Sequence, residues 1–384
     1  MMGGTRFIGV YLARQLVREG HDVTLFTRGK APVTSQLAGE SDADYAAFKS
    51  SVKHVKGDRM DFDAVRSTLK GSGFQAVYDV NGREGAEVAP IVDALKGDSL
   101  EQYIYCSSAG VYLKSDQMPH REEDATDVKS RHKVRACVRA GGFSAKNGRP
   151  MLLCAGVCFL APRSIDRSRP PPQPPPPKKK RNKKTKQKTK RQGKLDTESF
   201  LAQSGVAWTS IRPVYIYGPL NYNPVEEWFF HRLAQGRPIP VPGSGKQVTQ
   251  LGHVADLADA FARCLGNKAA DNQVFNVSGE RFVTFDGLAK ACAQAAGKPE
   301  PELVHYDPKA FDFGKAKAFP FRDQHFFASV DKAERVLGWR PKFGLLDGLK
   351  DSYSKDFGLG KFRKAADFTA DDMVLAKRKV LTTV

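Results

Sequence analysis

The sequence predicts an α/β protein, a doubly wound parallel sheet with a smaller C-terminal α/β lobe. Three observations predict it. A glycine-rich turn, Gly3-Gly4-Thr5-Arg6-Phe7-Ile8-Gly9, runs straight into a helical pattern with apolar residues at Ile8, Leu12, Leu16 and Val17. Short apolar strand patterns then alternate with helical ones at the pace of a parallel sheet. Finally, Cys106-Ser107-Ser108-Ala109-Gly110 leaves a strand at the carboxyl edge, where open sheets of this kind bind ligands.

The first turn sets backbone N–H groups at a helix N-terminus, where a pyrophosphate can sit. Gly3, Gly4, Thr5, Arg6, Phe7, Ile8 and Gly9 are therefore candidate cofactor-binding residues of a Rossmann-like domain. Gly3 and Gly9 hold the outer positions of a G-x-x-G-x-x-G spacing, and Arg6 takes the middle one. A plain tight turn is the competing reading. Such a turn normally follows a buried strand of about five residues. Only Met1 and Met2 precede Gly3, so the first, central strand is expected to be missing from this chain, and any targeting segment with it.

Residues 23–27 read as a buried strand ending at Arg28. A basic residue there suits a 2′-phosphate and favours NADP over NAD; a solvated basic loop shared with Lys30 is the alternative. Residues 53–56 are the next strand, ending in Gly57-Asp58-Arg59. Asp58 could meet an adenine amine or cap the following helix. Strands follow at 76–80 and 102–106, with a helix at 86–95 between them. Ser107 and Ser108 then offer hydroxyls to a substrate oxygen, or form an ordinary turn.

Charge is unevenly spread. The chain of 384 residues carries 61 Lys and Arg against 42 Asp and Glu, a net +19. Residues 134–192 alone hold 17 of those cations and one acid, Asp166, so the rest is only mildly basic. Whole-chain charge is therefore no argument for nucleic acid. No apolar run reaches the roughly 18 residues that span a bilayer. The six cysteines show no metal-ligand spacing, which points to a reducing compartment and to no metal site.

Residues 134–192 interrupt the pattern with a proline run, Pro170 to Pro177, and a lysine cluster, 178–191. Three readings compete: a basic arm binding RNA, a nuclear address, or translated intron. The third is favoured. Valine codons begin with GT and a glutamine codon can be CAG, so both ends allow splice signals. Removal keeps the frame and joins Arg131-His132-Lys133 to Gly193-Lys194-Leu195. Residues 1–133 and 193–218 then form the Rossmann-like domain. Residues 219–384 form the C-terminal lobe, with elements returning to the sheet.

Beyond the insertion, 207–211 and 274–278 read as strands, and 251–264 as a strand end and helix. The stretch 225–233 is amphipathic, and its Trp228, Phe229 and Phe230 read as core rather than as a base-stacking platform. A helix at 285–296 follows. Leu337-Gly338-Trp339-Arg340-Pro341 ends a further helix at Gly338, and the charged part from Phe357 reads as a surface tail.

Together the glycine turn, Ser107-Ser108-Ala109-Gly110-Val111-Tyr112, Arg212-Pro213 with Tyr217-Gly218-Pro219, and Leu337-Gly338-Trp339-Arg340-Pro341 resemble the extended short-chain dehydrogenase/reductase, or NAD-dependent epimerase/dehydratase, superfamily. More closely, Asn221-Tyr222-Asn223-Pro224 with the residues to Phe230, and Phe319-Pro320-Phe321-Arg322-Asp323-Gln324-His325, resemble the plant chloroplast stem-loop-binding family.

The superfamily resemblance implies a Ser and a Tyr-x-x-x-Lys set that moves a proton while hydride moves. Ser108 falls on the Ser and, in the spliced chain, Lys194 on the Lys. Arg131 falls where the Tyr belongs, and Arg cannot exchange a proton near neutral pH. The closer resemblance implies binding and endonucleolytic cleavage of stem-loop RNA in the chloroplast stroma, with a divalent metal to assist. It also implies association with ribosomal particles, a role in rRNA and transcript metabolism, and assembly with itself or a paralogue. An NADP-dependent epimerase or reductase acting on a sugar nucleotide, and a non-catalytic ribosome-assembly scaffold, are the alternatives.

Overall fold

The computed structural model describes residues 1–31, 33, 36–127, 193–316, 318–361 and 365–382. The insertion at 134–192 and Arg131 lie outside the described residues.

Seven parallel positions make the main sheet. β1 (Thr24–Thr27) pairs with β2 (Lys53–Lys56); β3 (Ala76–Asp79) pairs with β4 (Gln102–Cys106), and β4 with β5 (Trp208–Pro213). The first strand, expected to be missing, is represented by two residues, Met1 and Met2. Met2 bridges Phe26 of β1 and Asp79 of β3, both in parallel. Its N–H donates to the Tyr78 carbonyl at 2.8 Å, and the Phe26 N–H donates to the Met1 carbonyl at 2.8 Å. The central strand is therefore shortened rather than absent, because two residues suffice to pair with both neighbours at its carboxyl end. The strand order changes direction there, and the glycine turn leaves from that point.

Helices cover both faces. α1 (Ile8–Arg18) buries Val10, Leu12, Ala13 and Leu16, and joins a core that includes Leu257 and Phe261. α2 (Asp42–Ser51) adds Phe48 to that side, and Ser41 caps its first turn by accepting from the Asp44 N–H. On the other face α3 (Phe62–Leu69), α4 (Gly85–Leu95) and α5 (Lys194–Ser204) pack Val65, Val88, Ile91, Leu95 and Leu201 against Tyr103 and Tyr105.

The chain then alternates between lobe and sheet: β6 (Tyr215–Tyr217), α6 (Glu227–Ala234), β7 (Ile239–Pro242), β8 (Val248–Thr249), β9 (Leu251–His253) and α7 (Val254–Ala262). β10 (Gln273–Val277) returns to the main sheet as the parallel neighbour of β5. α7 carries Leu257, Ala258 and Phe261 in the core that holds α1's apolar face. β11 (Val283–Thr284), α8 (Phe285–Ala295) and β12 (Leu303–Tyr306) follow, with β12 parallel to β7, β11 antiparallel to β8 and β6 parallel to β9. α9 (Asp331–Leu337) ends at Gly338, whose φ of 58° is the left-handed turn expected of that glycine. α10 (Leu345–Lys355) completes the lobe around Phe229, Phe230, Phe285, Phe319 and Phe321.

The charged segment after Phe357 is not a surface tail. α11 (Thr369–Thr382) buries Ala370, Asp371 and Val374. The Asp371 carboxylate takes two bonds from the buried Arg232 guanidinium, at 2.8 and 2.7 Å, and that guanidinium lies 3.5 Å from the Trp228 ring centroid. An ion pair with both members buried holds the helix, and composition gave no sign of its partner, which lies 139 residues back.

Candidate functional site

A cleft of about 440 Å³ opens at the carboxyl edge of the sheet, beside Met2. Its floor and walls come from successive strand ends. The turn of residues 3–9 follows Met2; Arg28 and Lys30 follow β1; Asp58, Arg59 and Met60 follow β2; Asn81 and Arg83 follow β3. Among the described residues Tyr222 is the one contribution from beyond residue 87. This is the crevice in which a doubly wound sheet receives ligands.

The turn is built as tightly as a pyrophosphate cradle requires. A Cβ added to Gly9 would stand 2.5 Å from the Gly4 Cα, so helix and turn touch backbone to backbone. Gly3 and Gly4 hold φ of 105° and 109°. Phe7, at φ 41°, takes a conformation that costs a side-chain-bearing residue about 1–3 kcal/mol. Burial of its ring, which is 4% exposed, offsets that cost. Arg6 at the middle position is exposed and lines the cleft, so it adds a cation to the cradle. These residues fit a phosphate group. Arg28 lines the same cleft.

Among the described residues five cations line the cleft, Arg6, Arg28, Lys30, Arg59 and Arg83, against Asp58 and Glu87. Arg59 is committed inward. Its guanidinium forks onto the fully buried Asp79 carboxylate at 2.8 and 2.9 Å and meets Glu87 at 3.2 Å. Burial pushes the Asp79 carboxyl up, but Arg59, the Tyr103 hydroxyl and Lys194 outweigh it and hold it down to about 2. Asp58 accepts the Met60 N–H at 3.0 Å and lines the cleft; Asp61, not Asp58, caps α3.

The superfamily remnants stand apart from these walls. Ser108 accepts the Gly110 N–H at 3.0 Å and shapes a tight turn at 109–111. Lys194, at the start of α5, donates to the carbonyl oxygens of Gly82 at 2.8 Å and Cys106 at 2.5 Å. Burial pushes its pKa down, against the pull of Cys106 and Asp79. Lys194 therefore ties the loop after β3 to the end of β4, the strand that Ser108 follows. The position assigned to the missing Tyr, Arg131, lies outside the described residues.

Sequence reasoning missed Met60, Arg83 and Tyr222 as cleft residues. Tyr222 is 61% exposed and stands edge-on to Phe7 with ring centroids 6.2 Å apart. Its loop is pinned: the Leu220 N–H donates to Asp356 at 2.6 Å, and the Asn221 amide donates to the Ile216 carbonyl at 3.0 Å. In the sequence the Asn221-Tyr222-Asn223-Pro224 stretch carried only a family resemblance, and nothing in it marked the approach of Tyr222 to the first turn. Among the described residues no three His, Cys, Asp or Glu gather as a cation site, and no helix is long and apolar enough to cross a membrane.

The comparisons agree with this geometry. The profile of the NAD(P)H-binding family matches residues 3–140, and that of the NAD dependent epimerase/dehydratase family matches 187–278. A solved UDP-glucose 4-epimerase from Thermotoga maritima has a TM-score of 0.60 at 17% identity, covering 94% of this chain and 98% of its own. A UDP-glucose 4-epimerase from Mycolicibacterium smegmatis is 31% identical over 36% of this chain and 42% of its own length. The chloroplast stem-loop binding protein of 41 kDa b from Arabidopsis thaliana is 59% identical over 99% of this chain and 85% of its own length. With a doubly wound sheet, a glycine cradle and that identity along the whole chain, this protein belongs to the chloroplast stem-loop binding family, on an epimerase/dehydratase scaffold.

Proposed function

We propose that this chain binds stem-loop RNA in the chloroplast, and that the basic cleft at the sheet edge is its RNA contact. The 59% identity to a relative named for stem-loop binding and for the chloroplast carries the reading. The cleft supplies a physical basis that net charge alone did not. Arg6, Arg28, Lys30 and Arg83 line the one cleft, and RNA phosphates need such local cations rather than a high overall charge. The finer form of the proposal adds cleavage of the RNA with a divalent ion, work on ribosomal particles and rRNA, and assembly with a second copy or a paralogue.

A salt titration tests it. Anisotropy of a labelled stem-loop should give log K falling linearly with log salt, and Arg28→Ala should lower the slope by about 1. A flat slope, or no binding, refutes the reading. Cleavage products that appear with magnesium and vanish with a chelator would support the nuclease arm.

One observation favours a second reading, an NADP-dependent epimerase or reductase. The cradle of residues 3–9 and Arg28 suit a phosphorylated dinucleotide. When bound, the nicotinamide would supply hydride transfer. Lys194 is held by two carbonyl oxygens, and Arg131 offers no proton, so this chain's own residues give that chemistry little help.

A further inference from the structure

The cleft's lining is not only basic. Among the described residues six large apolar side chains are exposed, and two of them, Met60 at 58% and Tyr222 at 61%, line this one cleft. Exposed apolar groups scattered singly need no explanation, but two that flank a phosphate cradle do. Tyr222 is also held in place, since Asp356 and the Ile216 carbonyl fix the backbone and side chain just before it. A displayed ring on a pinned loop loses little freedom on binding and offers a flat face to a flat partner.

We propose that the cleft receives a single unpaired nucleotide from the loop of the RNA. The base lies against Tyr222 and Met60, and its phosphate meets the turn of residues 3–9 with Arg6 and Arg28. This rests on the RNA reading above and narrows it to what enters the cleft. At about 440 Å³ the cleft has the size of a small-ligand site, and Met60 and Tyr222 both line it. Paired bases in an A-form stem present neither face to a protein, since both are stacked. Loop bases can be splayed out, and aromatic stacking with a basic groove is the way proteins hold single strands. The stem then stays outside the cleft, and a dinucleotide and the RNA loop exclude one another.

The test uses the full chain and three labelled RNAs: a hairpin, the same stem as a blunt duplex, and the hairpin with abasic sugars throughout its loop. The hairpin should bind about tenfold more tightly than either control. Tyr222→Ala should abolish that difference without changing the salt slope, and Tyr222→Trp should keep it. NADP should displace the hairpin but not the duplex. Equal binding of hairpin, duplex and abasic hairpin overturns this proposal alone and leaves stem-loop binding standing. A loop preference that survives Tyr222→Ala overturns it as well. Failure to bind any of the three overturns it together with the function it rests on.

Discussion

Glu226 sets up a measurable pH dependence of stability. Its side chain is fully buried at the start of α6. One carboxyl oxygen accepts from the Gly218 N–H at 3.0 Å and the Ser352 hydroxyl at 2.9 Å; the other finds no partner. Burial pushes the group up, Asp356 pushes the same way, and the two hydrogen bonds recover only part, leaving it at about 7 against an ordinary 4.5. A carboxyl raised on folding contributes stability that is fully present below pH 4.5 and is lost as pH rises through 7. At 1.36 kcal/mol per pH unit, the full loss is roughly 3 kcal/mol, of which about 2 to 3 falls between pH 5 and pH 8. Glu226→Gln keeps the accepting oxygen and removes the titration. Urea unfolding followed by tryptophan fluorescence, at half-unit steps from pH 5 to pH 8, should show the variant gaining on the wild type by that amount. Any constant offset from the extra amide hydrogens cancels in the comparison. Parallel stability curves for the two proteins would refute the reasoning.

Two further predictions concern packing. Gly9→Ala places a Cβ 2.5 Å from the Gly4 Cα, so the cradle must open; a loss of about 1–3 kcal/mol in urea unfolding is expected, and an unchanged midpoint would sink the backbone-contact argument. Asp371→Ala leaves the buried Arg232 guanidinium unpaired and should cost about 3–5 kcal/mol, read as faster proteolysis within 365–382. Arg232→Met with Asp371→Leu should restore most of it; if the double variant is as labile as the single, the ion pair is not what holds α11.

Most of the sheet was legible because its strands are short, largely apolar runs between turn residues; β2, Lys53-His54-Val55-Lys56, was placed instead by its spacing between helices and the Gly57 turn that follows it. β2 and β4 fall on the expected residues, and β1, β3, β5 and β10 within two of them. The central strand was hidden because two residues are too few to show a pattern, and their pairing with Phe26 and Asp79 is a tertiary fact. α11 was misread for a related reason: its buried Asp371 looks like any surface acid until Arg232 is placed beside it. At the site, the glycine spacing pointed to the turn and the strand ends to Arg28 and Asp58. Met60 and Tyr222 carried no local mark of function, since a lone Met and a loop Tyr are unremarkable until the fold sets them along one cleft.

The cleft's walls have different ancestries along the chain. Among the described residues, the cations and glycines that line the cleft come from residues 3–87, carried on strand ends and on turns in which Gly3, Gly4 and Gly9 leave no room for a side chain. Tyr222 comes from a later loop, anchored by the Ile216 carbonyl and Asp356. If the cleft holds the nucleotide proposed above, a change in that loop would alter which molecule is preferred and leave the glycine turn untouched. Relatives on this scaffold can diverge in preference by exchanging a handful of loop residues, while the glycine turn, under far stricter steric limits, stays as it is.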